Sequence, residues 1–311
     1  MDIAPFYSDI SGGPDNGTAH WITTSDRLRI RVAHWTGSDV KGTVLLFPGR
    51  TEYIEKYGRA AGEFLRRGYA TVAIDWRGQG LADRIHPNPA YGDVARFSDY
   101  QFDVAAMLTH VRDLGLPQPY YLMAHSMGGC IGLRALTEGL PVKAVAFSAP
   151  MWGIEMSPLL RPFAWTISTL SRKLGFEGML APGQQAETFV ERVSFADNTL
   201  TGDAEMFDVL RQQAAAHPEM TLGGPSLRWL NEALCETRAL SRLPSIATPC
   251  LTFLGTQEEI VAPARIHDRM ARWPNATLDM IEGGKHEAMM ETSQIRTHVF
   301  DATAAHFDTY P

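Results

Sequence analysis

Cysteine is scarce in this chain, with Cys130, Cys235 and Cys250 the only three among 311 residues. They lie far apart and an odd number leaves one unpaired, which argues against a disulfide-stapled scaffold and against a CxxC metal site. A reducing cytoplasm is the expected setting. Positive charge is also short: 28 Lys and Arg stand against 35 Asp and Glu, a formal charge of -7. Without a basic excess to neutralise phosphates, nucleic acid is not an expected partner. No apolar run reaches the roughly 18 residues of a membrane-spanning helix. The opening stretch MDIAPFYSDISGG has neither the basic start nor the apolar core of an export signal. Any membrane contact is therefore expected to be peripheral. Repeats and low-complexity tracts are absent as well.

What is present is an ordinary globular composition, 45% hydrophobic and 20% charged. A chain of 311 residues is long for one compact core and short for two full domains, which suggests one large domain carrying an insertion. Segments 21–24 and 28–35 read as a strand hairpin, the second alternating Leu28, Ile30, Val32 and Ala33 with Arg27, Arg29 and Arg31. From Lys41 onward, continuous apolar runs at 43–47, 70–75, 120–124, 142–148, 250–254 and 277–281 suit strands buried on both faces. Helical patterns fall between them at 54–67, 98–114, 127–138, 263–273 and 293–307. Such alternation predicts an α/β fold with a mostly parallel central sheet flanked by helices.

The stretch 150–244 breaks the alternation. It has no clear buried strand, and Leu159, Leu160, Phe163, Ile167, Leu170 and Leu174 fall on one broad helical face. A helical cap inserted between 1–149 and 245–311 is expected, because long insertions in a compact domain usually serve function. Its apolar face has three readings: core packing, the lining of an acyl-chain pocket involving Trp152, Met156, Phe163 and Trp165, or contact with a lipid surface.

The segment from Tyr120 to Gly129, YYLMAHSMGG, reads as a strand, a sharp turn and a helix start. That context is required of a nucleophile elbow. The turn strains its central residue, so the positions two places either side must be small, and here they are Ala124 and Gly128. Ser126 is the candidate nucleophile, with the amide of Met127 at a helix N-terminus available to an oxyanion. A serine hydroxyl near neutral pH needs a general base, and the base needs an orienting acid. At such elbows the acid and then the histidine follow the serine in the chain. The apolar run 250–254 leads into Thr256-Gln257-Glu258-Glu259, making Glu258 or Glu259 the candidate acid. His286 follows the last run and two glycines, whereas His267, His298 and His306 fall within helical patterns. The loop after 43–47, beginning Pro48-Gly49-Arg50, would supply the second oxyanion amide, that of Arg50.

Pro48-Gly49-Arg50-Thr51-Glu52 through Tyr57, Asp75-Trp76-Arg77-Gly78-Gln79-Gly80, the serine elbow and Gly284-x-His286-Glu287 together resemble the bacterial lysophospholipase and monoacylglycerol lipase branch of the α/β hydrolases. His217-Pro218-Glu219, Leu222-Gly223-Gly224-Pro225 and Trp229 are similar to the lysophospholipase cap. The resemblance spans roughly 20–307. It implies an α/β-hydrolase fold and a serine esterase acting on monoacyl lipids through an acyl-enzyme, with no cofactor and no metal. It also selects Glu258, since relatives carry an aspartate three residues after the glycine that matches Gly255. Where most of the family has His-Gly, this chain has Pro48-Gly49.

Asp75, Arg77, Gly78 and Gly80 read as a structural turn rather than a phosphate or metal loop. Arg50 has two readings: a fixed charge for a lysophospholipid phosphate, or a partner of Glu52 or Glu55. The rivals are another serine-dependent reaction on the same fold, such as short-chain ester or peptide cleavage, and a ligand-binding protein that retains a hydrolase pocket. Oligomeric state is not legible.

Overall fold

The apolar runs become the strands of one sheet in the computed structural model, which describes residues 2–311. In chain order the strands are β1 (Asp2–Ile3), β2 (Thr18–Thr23), β3 (Arg29–Trp35), β4 (Thr43–Phe47), β5 (Ala70–Asp75), β6 (Tyr120–His125), β7 (Val145–Ser148), β8 (Cys250–Gly255) and β9 (Ala276–Ile281). They lie in the order β1-β2-β3-β5-β4-β6-β7-β8-β9. The expected hairpin is β2 against β3, Thr18 opposite His34. From β5 onward every pairing is parallel, as helical crossovers require.

The helices are α1 (Ser8–Ser11), α2 (Gly58–Arg66), α3 (Tyr100–Asp113), α4 (Met127–Thr137), α5 (Leu160–Leu174), α6 (Phe189–Arg192), α7 (Ala204–Ala216), α8 (Leu227–Arg242), α9 (Pro263–Met270) and α10 (Ser293–Asp308). Apolar side chains form a core on each face of the sheet, one around Phe47, Trp76 and Phe147, the other around Trp35, Phe64 and Phe300. Burying each such ring stabilises the fold by about 1.5–3 kcal/mol.

Two expectations shift. The alternation in β3 leaves Arg29 exposed but does not put Arg31 in water: it is buried, bonding Asp75 at 2.7 Å and both carboxylate oxygens of Glu55 at 2.8 Å. The last strand, β9, is half exposed because it is the sheet's edge.

Between β7 and β8 the chain runs through α5 to α8 without a strand of the sheet. Capping residues explain the boundaries: the side chain of Asp203 accepts the amides of Glu205 and Met206 at the start of α7, and that of Ser226 accepts Trp229 N–H at the start of α8. Helix α5 is inverted relative to a core helix. Its buried residues are Ser168 and Ser171, and Asn231 of α8 donates to Ser168 Oγ at 3.2 Å and Thr169 Oγ1 at 3.1 Å. Leu159, just before the helix, and Leu160, Phe163, Leu170 and Leu174 on it are exposed. Core packing is therefore not what this apolar face does. Among the described residues no helix is long and apolar enough to cross a membrane.

Candidate active site

Strand β6 delivers Ser126 to the start of α4 with a φ of 51°, the left-handed region that non-glycine residues enter only under constraint. The constraint is visible on both sides of the residue. Ser126 N–H donates to Ser148 O at 3.1 Å, and its carbonyl accepts Met151 N–H at 2.8 Å. At Gly128 an added Cβ would lie 2.1 Å from Phe47 O, so the helix start packs on the end of β4 only without a side chain there.

The structure brings Ser126, His286 and Glu258 together. Ser126 Oγ is 2.9 Å from His286 Nε2, and His286 Nδ1 is 2.8 Å from Glu258 Oε2 and 3.0 Å from Oε1. All three are buried. Glu258 Oε1 also accepts the amides of Ile260 at 2.7 Å and Val261 at 2.9 Å, so the carboxylate folds back onto its own loop. Burial favours the neutral acid, but the His286 ring and these amides outweigh it and hold Glu258 below the usual carboxylate range. Glu259, the other candidate, is exposed. Gly255 allows the approach of the two loops, since a Cβ there would lie 2.2 Å from Gly284 O.

Among the described residues the amides of Met127 and Arg50 donate to no protein acceptor. Their loop is held by its neighbours: Gly49 N–H donates to the Glu52 carboxylate, Thr51 N–H to Gln79 Oε1 at 2.6 Å, and Trp76 Nε1–H to Pro48 O at 2.9 Å. Gln79 thus gives the Asp75–Gly80 turn a structural task. Asp75 accepts the amides of Ile54 and Leu81, each at 2.8 Å, and Arg77 bonds Asp103 and Asp26.

Arg50 is not paired with either glutamate. Glu52 bonds Lys56 and Glu55 bonds Arg31. The Arg50 guanidinium donates to Gly223 O and lies 5.3 Å from the Trp229 ring centroid, while its Nε is buried without a partner. Burial without a carboxylate pulls it down to about 10, still cationic at neutral pH.

A cavity of about 620 Å³ opens over Ser126 and His286, lined also by Arg50, Met156, Phe163 and Ile167. Two expected lining residues lie elsewhere. Trp152 is buried in the core, its ring 5.0 Å from Phe147 and its Nε1–H donating to Gly129 O at 3.2 Å. Trp165 faces Arg238, whose guanidinium lies 5.7 Å from its ring centroid. Their nearness to Phe163 along the chain, which suggested them as lining, could not separate residues facing the cavity from those facing other elements.

Sequence reasoning also missed a charged group behind the serine. Glu52, His125 and Glu287 each bring a ligand-type atom within 4.8 Å of the others. That place already has its cation: Lys56 Nζ lies 2.5 Å from Glu52 and 2.6 Å from Glu287.

The family model described as "Serine aminopeptidase, S33" matches residues 38–293. The chain belongs to this family. Proteins similar to this chain include lysophospholipase L2 of Escherichia coli, 29% identical over 93% of this chain and 87% of that protein. A probable lysophospholipase L2 of Haemophilus influenzae is 29% identical, covering 84% of this chain and 82% of the relative. Among solved structures, a soluble variant of monoglyceride lipase from Saccharomyces cerevisiae in complex with a substrate analogue superposes with a TM-score of 0.71 at 20% identity, over 93% of this chain and 94% of that one. The shared architecture is the α/β-hydrolase fold of this serine aminopeptidase family.

Proposed function

We propose that the protein hydrolyses carboxylic esters of monoacyl lipids, with Ser126 as nucleophile, His286 as general base and Glu258 as orienting acid. The observation that carries this reading is the 2.9 Å contact of Ser126 Oγ with His286 Nε2 at the floor of a large, mostly apolar cavity. His286 takes the serine proton as Oγ attacks the ester carbonyl, and the amides of Met127 and Arg50 hold the oxyanion. Glu258 keeps the Nδ1–H tautomer and balances the imidazolium. The alcohol leaves with the proton from His286, and water then cleaves the acyl-enzyme by the same route.

A short-chain esterase would leave much of 620 Å³ unfilled. Arg50, with no carboxylate partner, suits the phosphate of a lysophospholipid over a neutral glyceride. The 150–244 segment acts as the cap over this site, and the exposed apolar face of α5 meets the lipid surface from which substrate is drawn. The protein is read as cytoplasmic and peripheral at the membrane.

The test is Ser126→Ala. The variant should fold with unchanged circular dichroism, fail to react with a fluorophosphonate, and lose hydrolysis of lysophosphatidylcholine by about 10⁴-fold or more. Normal turnover by the folded variant would reject the reading, whereas wild-type turnover of short esters alone would retain the mechanism and reject the lipid substrate.

A further inference from the structure

We propose that Lys56, Glu52, Glu287 and His125 form a buried positioning bridge that ties the oxyanion loop to the loop of His286 and sets the field under the base. The proposal rests on the reading of Ser126 and His286 as nucleophile and base.

Each member sits on a different piece of the site. Glu52 belongs to the oxyanion loop, where its carboxylate accepts Gly49 N–H and the Tyr57 hydroxyl. Lys56 follows on the short turn before α2 and bonds Glu52 on one side and Glu287 on the other. Glu287 is the residue after His286. His125 is the residue before Ser126, its Nε2 3.4 Å from Glu287 Oε2 and 3.6 Å from Glu52 Oε1. Its Nδ1 is held 3.0 Å from Ser148 O at the end of β7, and its ring centroid is 4.7 Å from that of His286. All four bridge residues are buried.

The charges close. Two carboxylates face an ammonium and an imidazole, and the cluster is neutral when His125 carries its proton. Burial opposes that proton, but Glu287 and Glu52 outweigh burial and hold the His125 imidazole above its ordinary range, with Lys56 opposing them. Burial likewise opposes ionised Glu287, and His125 and Lys56 outweigh it, holding its carboxyl well below the usual range. Lys56 is kept charged by the same two glutamates against its own burial. The groups facing His125 are therefore Glu52, Lys56, Glu287, His286 and the carbonyl of Ser148.

Such an arrangement does two things for the chemistry. It fixes the spacing between oxyanion amides and base, where a displacement of about 1 Å can cost about 10²-fold in rate. It also sets Lys56 against Glu287, the residue next to His286, so that removing either charge changes the field on the imidazolium formed during acyl transfer. Bridge residues touch no reacting atom, so they are positioning residues.

The experiment compares Lys56→Met and Glu287→Gln with wild type, measuring steady-state hydrolysis and the pH dependence of fluorophosphonate labelling of Ser126. Both variants should lower kcat by about 10- to 100-fold with KM little changed. The acid limb, where the base is lost to protonation, should move in opposite directions. Lys56→Met leaves excess negative charge and moves it to higher pH, and Glu287→Gln removes negative charge and moves it lower, each on the order of one pH unit. If Lys56→Met does not fold, the Glu287→Gln limb decides alone. Folded variants whose limbs coincide with wild type would overturn the bridge. Absence of labelling in the wild-type protein would instead overturn the catalytic reading beneath it.

Discussion

His286 Nδ1 touches both carboxylate oxygens of Glu258, at 2.8 and 3.0 Å, while Oε1 is also gripped by two amides of its own loop. A glutamate here reaches the ring because its longer side chain bends back over Ile260 and Val261. The orienting function proposed for Glu258 depends on charge as well as position, since a neutral amide would present a donor to Nδ1 or stabilise the wrong tautomer. Glu258→Gln is therefore expected to lower kcat by about 10³–10⁴-fold on a p-nitrophenyl ester with little change in KM. Glu258→Asp keeps the charge and should lose less. A glutamine variant within tenfold of wild type would remove Glu258 from the mechanism.

Arg50 gives a test of head-group choice that leaves the oxyanion amide in place. Substituting the side chain by glutamine keeps the backbone donor and removes the guanidinium that faces Gly223 O and Trp229. A charge-assisted contact with phosphate is worth about 1.5–3 kcal/mol, so Arg50→Gln should lower kcat/KM for lysophosphatidylcholine relative to monoacylglycerol by about 10- to 100-fold. An unchanged ratio would leave Arg50 as a structural tie to the cap.

The parallel sheet and the elbow were legible because their signals are local: buried strands are continuous apolar runs, and the turn at Ser126 needs small residues at fixed offsets. Spacing left Glu258 and Glu259 as candidate acids and the family resemblance selected Glu258; only the folded loop places Glu258 against His286 and leaves Glu259 exposed. Cap residues were less legible. Trp152 and Trp165 share an apolar stretch with Phe163, yet Trp152 packs on Phe147 and Trp165 on Arg238. Arg31 and the Lys56 bridge were illegible for another reason. Arg31 meets Glu55 and Asp75, and Lys56 meets Glu287, across long separations in the chain, with Glu52 the one near partner of Lys56, so no window of sequence shows that these charges are buried together.

Helix α5 presents apolar side chains outward and packs through serines, the reverse of a helix covering a core. Leu159, Leu170 and Leu174 are exposed and do not line the cavity. Replacing all three with serine is expected to reduce co-sedimentation with phosphatidylcholine/phosphatidylglycerol vesicles by roughly tenfold or more, because each leucine inserted into lipid contributes about 1.5–3 kcal/mol at most. Hydrolysis of a short soluble ester should be unchanged. Equal vesicle binding by the variant and wild type would exclude this face as the lipid contact, and loss of a concentration-dependent dimer would reassign it to a second copy of the chain.

Away from the site, His20, His34 and His110 meet where β2, β3 and α3 converge, with ring centroids 5.5 Å apart for His20 and His34 and 5.1 Å for His20 and His110. Each has a buried ring nitrogen without a partner. Burial, with the neighbouring imidazoles adding repulsion, pulls His110 down to about 4, and burial lowers His20 and His34 as well. The unfolded chain, with histidines near about 6.5, binds more protons than the folded one below that pH. The neutral cluster's contribution is therefore complete above about 6.5 and is lost as pH falls toward 4. His110→Phe removes the lowest-titrating member while keeping an aromatic ring in place. Thermal melts between neutral pH and about 4.5 should show wild-type Tm falling more steeply than that of the variant; parallel curves would mean that acid lability arises elsewhere, as in protonation of Glu258 or Glu287, whose depressed carboxyls also lose stabilisation as pH falls.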